Sequence, residues 1–333
     1  MTSQTIPAAT PGLAPSGAPR VLAFDVGGTW VKYGIVDAGG RLLCSDQLAT
    51  QSEPDGKALL TRLLAVAEPL VARHAPAGIA FSTLGIIDAA EGRLVGAVEA
   101  IAGYFGQSPK ECFERAFGVP VVVENDGNCV ALAEGWTGAA AGVRHYLALT
   151  LGTGIGGGIV IDGRLYRGAG GAAGEVAYLP IGPGDPHDRA HRRRGMLEDS
   201  TAAAGIVEHA RSLGMARPRS AKAIFAAARR ADPTAVRVVE AEAGRIALAI
   251  ATLAPLLDPE LVILGGGIGM NGDLLLGPID RELRAISPFR PTIVVSELGE
   301  EAVLHGAVST ALSAAQDQLF TRAPDLGRRE IVV

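Results

Sequence analysis

Three short stretches gather residue types that act on hydroxyls and phosphates. Glu124-Asn125-Asp126 follows the β-branched run 119–123. A carboxylate at the end of a buried strand is partly desolvated and can take a proton from a substrate hydroxyl. Asp126 is the candidate base, and Asn125 can both donate to and accept from a polyol. The same Asn-Asp pair equally suits the cap of the helix read over 128–140. Asp25-Val26-Gly27-Gly28-Thr29 is a glycine turn whose backbone can approach a phosphate closely, with the Thr29 hydroxyl beside it. Asp25 can hold a hydrated Mg²⁺ there, and Lys32 can reach the same phosphates. Its alternative is an ordinary turn between strands. Leu151-Gly152-Thr153-Gly154-Ile155-Gly156-Gly157 is a second turn of the same kind, about half a chain later. Two such turns facing each other can clamp a polyphosphate.

By spacing, the second turn matches G-x-G-x-x-G, the dinucleotide fingerprint, which requires a helix after the glycines. Here 159–166 reads as a hairpin, so the Rossmann reading fails, and no G-x-x-x-x-G-K-[ST] occurs anywhere. Glu175 and Glu198 are further candidate carboxylates. Each is equally readable as a solvated glutamate, and Glu198 also as a first-turn helix residue favoured by the dipole. His187 and His191 lie in an arginine-rich stretch. Two ligands do not make a zinc site, and a solvated basic loop is the better reading.

The elements that must position these groups follow from periodicity and punctuation. Strands are expected over 21–27, 31–37 and 41–48, then a helix over 57–73, a strand over 78–82 and a helix over 109–117. After the second hairpin, helices are expected over 198–213, 221–230 and 234–257, then a strand over 261–264 opening onto Gly265-Gly266-Gly267. A helix over 272–286, a strand over 292–296 and a last helix over 302–315 complete the chain. The order is βββαβα in both halves, and ligands in such sheets sit at strand C-terminal ends, where the glycine turns fall.

Composition narrows the function. A chain of 333 residues suggests about two domains. The net charge of −5 argues against a nucleic-acid binder, which carries a basic face. Three scattered cysteines fit reduced thiols in a cytoplasmic protein. Residues 1–20 read as a disordered leader, not a signal peptide, and no apolar run is long enough for a membrane span.

With these motifs in order, the chain resembles the ROK family of sugar kinases, repressors and open reading frames, within the actin-like ATPase superfamily. The likeness covers 21–317. It implies a two-lobed α/β actin-like (ribonuclease H-like) fold with duplicated βββαβα domains and a cleft between them. The lobes would be 21–141 plus 302–317 and 142–301, with 318–333 as a tail. It implies ATP and Mg²⁺, with phosphates held by Asp25, Gly27, Gly28, Thr29, Lys32, Gly152, Thr153, Gly154 and Gly156, and adenosine along Gly266 and Gly267. Glu124-Asn125-Asp126-Gly127-Asn128 matches the family's E-N-D-x-N, whose Asp is the base. Gly85, Asn125, Asp126, Glu175, Tyr178 and Glu198 would contact the sugar. Family members commonly bind structural zinc through one His and three Cys. Those positions are Tyr178, Arg189, His191 and Met196 here, so no zinc is expected. The pattern is most similar to a zinc-lacking branch near glucokinases and β-glucoside kinases. A homodimer is the family's expectation.

The expected activity is ATP-dependent phosphorylation of a sugar hydroxyl, O6 of glucose or a glucoside. A kinase using inorganic polyphosphate is the nearer rival, with 192–194 aiding a long anion. A sugar-responsive repressor is the rival of another class. It would carry a DNA-binding module before the first turn, where only the Pro/Ala-rich 1–20 stand.

Overall fold

The computed structural model describes residues 19–96, 101–299, 303, 306 and 307. Most of the 1–20 leader, nearly all of the helix expected over 302–315 and the tail 318–333 lie outside them.

In the first half, β1 (Arg20–Val26), β2 (Trp30–Asp37) and β3 (Leu42–Ala49) form an antiparallel meander. Helix α1 (Gly56–His74) follows, capped by the Asp55 carboxylate, which accepts the Ala58 N–H at 2.8 Å. Then come β4 (Gly78–Thr83), an unforeseen hairpin of β5 (Ile86–Asp88) and β6 (Arg93–Gly96), α2 (Pro109–Phe117), β7 (Val121–Asn125) and α3 (Asp126–Thr137). The sheet runs β3-β2-β1-β4-β7, with β1, β4 and β7 parallel. Its core stacks Phe24 on Phe81 at 4.8 Å between centroids, with Phe113 of α2 edge-on to both.

The second half opens on β8 (Tyr146–Leu151), β9 (Ile155–Ile161) and β10 (Arg164–Leu165). Helices α4 (Arg189–Arg194), α5 (Met196–Thr201), α6 (Ala203–Ser212), α7 (Ala221–Arg229) and α8 (Pro233–Leu257) follow. After β11 (Leu261–Gly265), a single turn α9 (Gly266–Gly269), α10 (Gly272–Ile286) and β12 (Thr292–Val295) complete the described elements. This sheet runs β10-β9-β8-β11-β12. Both sheets therefore have the same order, three antiparallel strands then two parallel additions. The expected βββαβα succession is present in each half and continues into a fifth strand.

Three boundaries differ from expectation for physical reasons. The strand expected over 119–123 pairs from Val121, with Pro120 contributing only its carbonyl, to the Ile79 N–H. The following helix spans Asp126 to Thr137, not 128–140: Asn125 caps its start, accepting the Asn128 N–H at 3.2 Å, and the extended Gly138 ends it. The helix expected over 198–213 is two helices, broken where Ala202 is extended (ψ 169°). The basic stretch read as a loop carries α4, capped by Asp188.

Helix α3 lies between the two sheets. Val130, Ala131, Leu132 and Ala133 pack with Tyr146, Ala148, Val160 and Ile263 of the second half, while Cys129 and Trp136 pack with Val21, Ala23 and Ala80 of the first. Ala307, one of the few described residues of 302–317, joins the latter group. A Cβ on Gly127 would sit 2.7 Å from the Gly157 nitrogen, so only glycine lets α3 approach β9 this closely.

Candidate active site

The parallel strands of each sheet end on one edge, and the segments that leave those ends line a single cleft of about 720 Å³. Gly27, Gly28 and Thr29 follow β1, Gly85 follows β4, and Asn125 and Asp126 join β7 to α3. Gly152, Thr153, Gly154 and Gly156 come from the turn between β8 and β9, and Gly266 follows β11. Glu175, Tyr178 and Glu198 complete the set of expected residues on its wall. Asp25, Lys32 and Gly267 are not on that wall. Asp25 faces Lys32 across the β1–β2 ladder.

Each turn is held from outside itself. In the first, the Thr50 hydroxyl donates to the Gly27 carbonyl at 2.7 Å and the Thr50 N–H to the Thr29 carbonyl at 2.9 Å. In the second, the Ile155 N–H donates to Glu198 Oε2 at 2.8 Å and the Ala203 N–H to the Gly152 carbonyl at 2.9 Å. Gly266 has φ +75°, and a Cβ there would meet the Leu151 carbonyl oxygen at 2.5 Å, so the turn after β11 requires glycine.

Asn125 does serve as a cap, and its amide also donates to the Gly85 carbonyl at 3.0 Å, which ties the β4 and β7 ends together. Behind it lies a network that sequence reasoning missed. Glu124 Oε1 accepts the Asn125 N–H and the Asn128 amide, both at 2.9 Å. Its Oε2 accepts Arg167 Nε at 2.8 Å and the second guanidinium nitrogen at 2.6 Å. Arg167 follows β10 of the second half, so this charge-assisted pair, with two nitrogens on one carboxylate oxygen, joins the halves two residues before Asp126. Trp30, Thr150, Arg193 and Arg194 also line the cleft. The arginines arrive on α4, where Asp199 accepts from Arg194 at 2.9 Å and lies 3.2 Å from His191 Nδ1.

The cleft concentrates negative charge. Burial, the Asp126 charge beside it and a weaker opposing pull from Lys32 leave Asp25 at about 7. Glu175 is pushed up to about 7 by burial and then by Asp126 and Glu198. Burial also raises Asp126, against a hydrogen bond from the Gly127 N–H, and raises Glu198, against the Ile155 N–H. Such a set accepts hydrogen bonds from hydroxyls, and it welcomes a cation. Mg²⁺ is commonly held by one or two carboxylates together with substrate phosphates, and Asp25 repelled by Asp126 fits that requirement.

Glu175 couples folding to pH. Folded Glu175 binds its proton more tightly than the unfolded residue, whose value is 4.5. Its contribution is therefore fully present below that value and is lost as pH rises through about 7. Melting of the ligand-free protein at pH 5 and pH 8 will show a smaller fall in Tm for Glu175→Gln than for wild type. An equal fall in both would refute this assignment.

A family model described as "ROK family" matches residues 21–314. The chain is 35% identical to a β-glucoside kinase from Klebsiella pneumoniae over 252 residues, covering 75% of this chain and 82% of that one. Among solved structures, a ROK hexokinase from Thermus thermophilus is 33% identical with a TM-score of 0.75, covering 90% of this chain and 99% of that one. A ROK glucokinase from Streptomyces griseus, crystallised with glucose and AMPPNP, is 29% identical with a TM-score of 0.72 over 87% of this chain and 98% of that one. The matched span takes in both sheets and every motif of the cleft, and the chain belongs to the ROK family as a carbohydrate kinase.

Proposed function

We propose that the protein transfers the γ-phosphate of ATP to a sugar hydroxyl, O6 of glucose or of a glucoside, with Asp126 as general base. The observation that carries this reading is the position of Asp126. It stands at the first residue of α3, in one cleft with both glycine turns and with Glu175 and Glu198. In the reaction the acceptor oxygen forms a bond to the γ-phosphorus, the bond from phosphorus to the β–γ bridging oxygen breaks, and the hydroxyl proton passes to Asp126. Asn125, Glu175 and Glu198 orient the ring, and the turn amides of Gly28 and Gly154 receive phosphate oxygens. Mg²⁺ held at Asp25 would offset phosphate charge. Such positioning, more than covalent chemistry, supplies the acceleration in phosphoryl transfer. The reading carries with it a cytoplasmic location and a dimer of identical chains.

The test is ADP release from Mg-ATP with glucose, mannose, fructose, N-acetylmannosamine and cellobiose, against a control without sugar. Turnover greatest on glucose or a glucoside is expected, and silence on every sugar would overturn the assignment. A second reading has an observation of its own, since Arg193 and Arg194 line the cleft, where a long anion would share Arg194 with Asp199. A polyphosphate donor would then compete with ATP for the same acceptor, and competition assays separate the two.

A further inference from the structure

The second glycine turn has little side chain with which to hold its own shape. Besides its internal bond from the Gly152 N–H to the Gly154 carbonyl at 3.0 Å, it is fixed by Glu198 and by the Ala203 N–H. Both anchors come from one short piece of chain, α5 and the start of α6. The break at Ala202 is what aims the Ala203 N–H at the Gly152 carbonyl. Glu198 is also packed against the turn itself, since a Cβ on Gly154 would meet its Oε2 at 2.8 Å. That oxygen is occupied by Ile155, whereas among the described residues Oε1 accepts no hydrogen bond, and Glu198 is on the cleft wall beside Glu175 and Asp126.

We infer that Glu198 is a positioning residue for the turn that receives the donor phosphates as well as an acceptor contact, so that acceptor and nucleotide bind cooperatively through this one carboxylate. The inference rests on the kinase reading above. A sugar hydroxyl donating to Oε1 and the Ile155 N–H donating to Oε2 both favour one rotamer and the ionised form. Each therefore strengthens the other, and by linkage the effect is reciprocal: sugar tightens nucleotide binding by the factor with which nucleotide tightens sugar binding. A glutamate that contacted only the sugar would have no influence on nucleotide binding in the sugar's absence.

That difference is measurable by calorimetric titration of AMPPNP with Mg²⁺, with and without glucose. Without sugar, Glu198→Ala is expected to weaken AMPPNP binding by about tenfold, the scale of a hydrogen bond to a charged group, while Glu198→Gln, which keeps an oxygen for Ile155, stays within about twofold. Ala203→Pro removes the other anchor and leaves Glu198 in place. Ala203 is the first helical residue after an extended Ala202, where proline is accommodated, and a loss of roughly three- to fivefold is expected from one neutral hydrogen bond. Glucose should tighten AMPPNP binding to wild type and fail to do so in Glu198→Ala. Wild-type AMPPNP affinity in sugar-free Glu198→Ala would overturn the inference and leave Glu198 an acceptor contact alone. A wild-type protein that binds no AMPPNP would remove the kinase reading and this inference together.

Discussion

Asp126→Asn will retain nucleotide and acceptor binding while its turnover falls by about 10²- to 10⁴-fold, the range general-base catalysis supplies. Asparagine keeps the size of the side chain and an oxygen for the Gly127 N–H, which Asp126 accepts at 2.9 Å. It removes only the ability to take a proton. Electrostatics provides an internal control. The Asp126 charge helps to raise both Asp25 and Glu175, so its removal lowers both toward ordinary carboxylate values. The variant should therefore melt no lower than wild type at pH 8, and calorimetry should find AMPPNP affinity within about threefold, less than one charged hydrogen bond is worth. Turnover within a factor of two of wild type would remove Asp126 from the proton transfer.

Arg167→Met will destabilise the protein by about 3–5 kcal/mol, because it leaves Glu124 buried without its countercharge. The carboxylate side chain is 3% exposed, and Arg167 holds its Oε2 through two guanidinium nitrogens. A loss of that size is a large part of the margin of an ordinary domain. Urea unfolding should show a lower midpoint, and Glu124→Gln combined with Arg167→Met should recover part of the loss by removing the stranded charge. The single variant should also lose kcat more than it changes the KM for ATP, since Glu124 holds the Asn125 N–H and the Asn128 amide on either side of Asp126, the proposed base. An unfolding midpoint equal to that of wild type would mean the pair contributes nothing.

These two sites differ in how readable they were. Asp126 announces itself through a local pattern, a β-branched strand ending on Asn-Asp, and the glycine turns do the same. The duplicated hairpins at 21–37 and 146–161 likewise foreshadow two sheets of one strand order. Arg167 has no local signature. It is a single arginine after a short strand, and its partner lies 43 positions earlier. The break at Ala202 was hidden for a related reason. Three successive alanines, 202–204, are strong helix formers, yet Ala202 is extended and the Ala203 N–H turns to the remote Gly152 carbonyl. Helix α4 was masked by its composition, since an arginine run reads as solvated until Asp188 caps it and Asp199 gathers Arg194 and His191. Local chemistry is written in neighbouring residues, while the supports of the site are written in pairs far apart along the chain.

The placement of α3 bears on the ancestry of such a molecule. Two sheets of identical order suggest two copies of one ancestral unit, yet the helix that ends the first copy buries Val130, Ala131 and Leu132 against strands of the second. Severed after Thr137, the first copy would expose that seam to water, and the second would lose the helix that covers β8 and β9. The copies have thus become obligate companions, and Asp126, the proposed base, rides on the part they share.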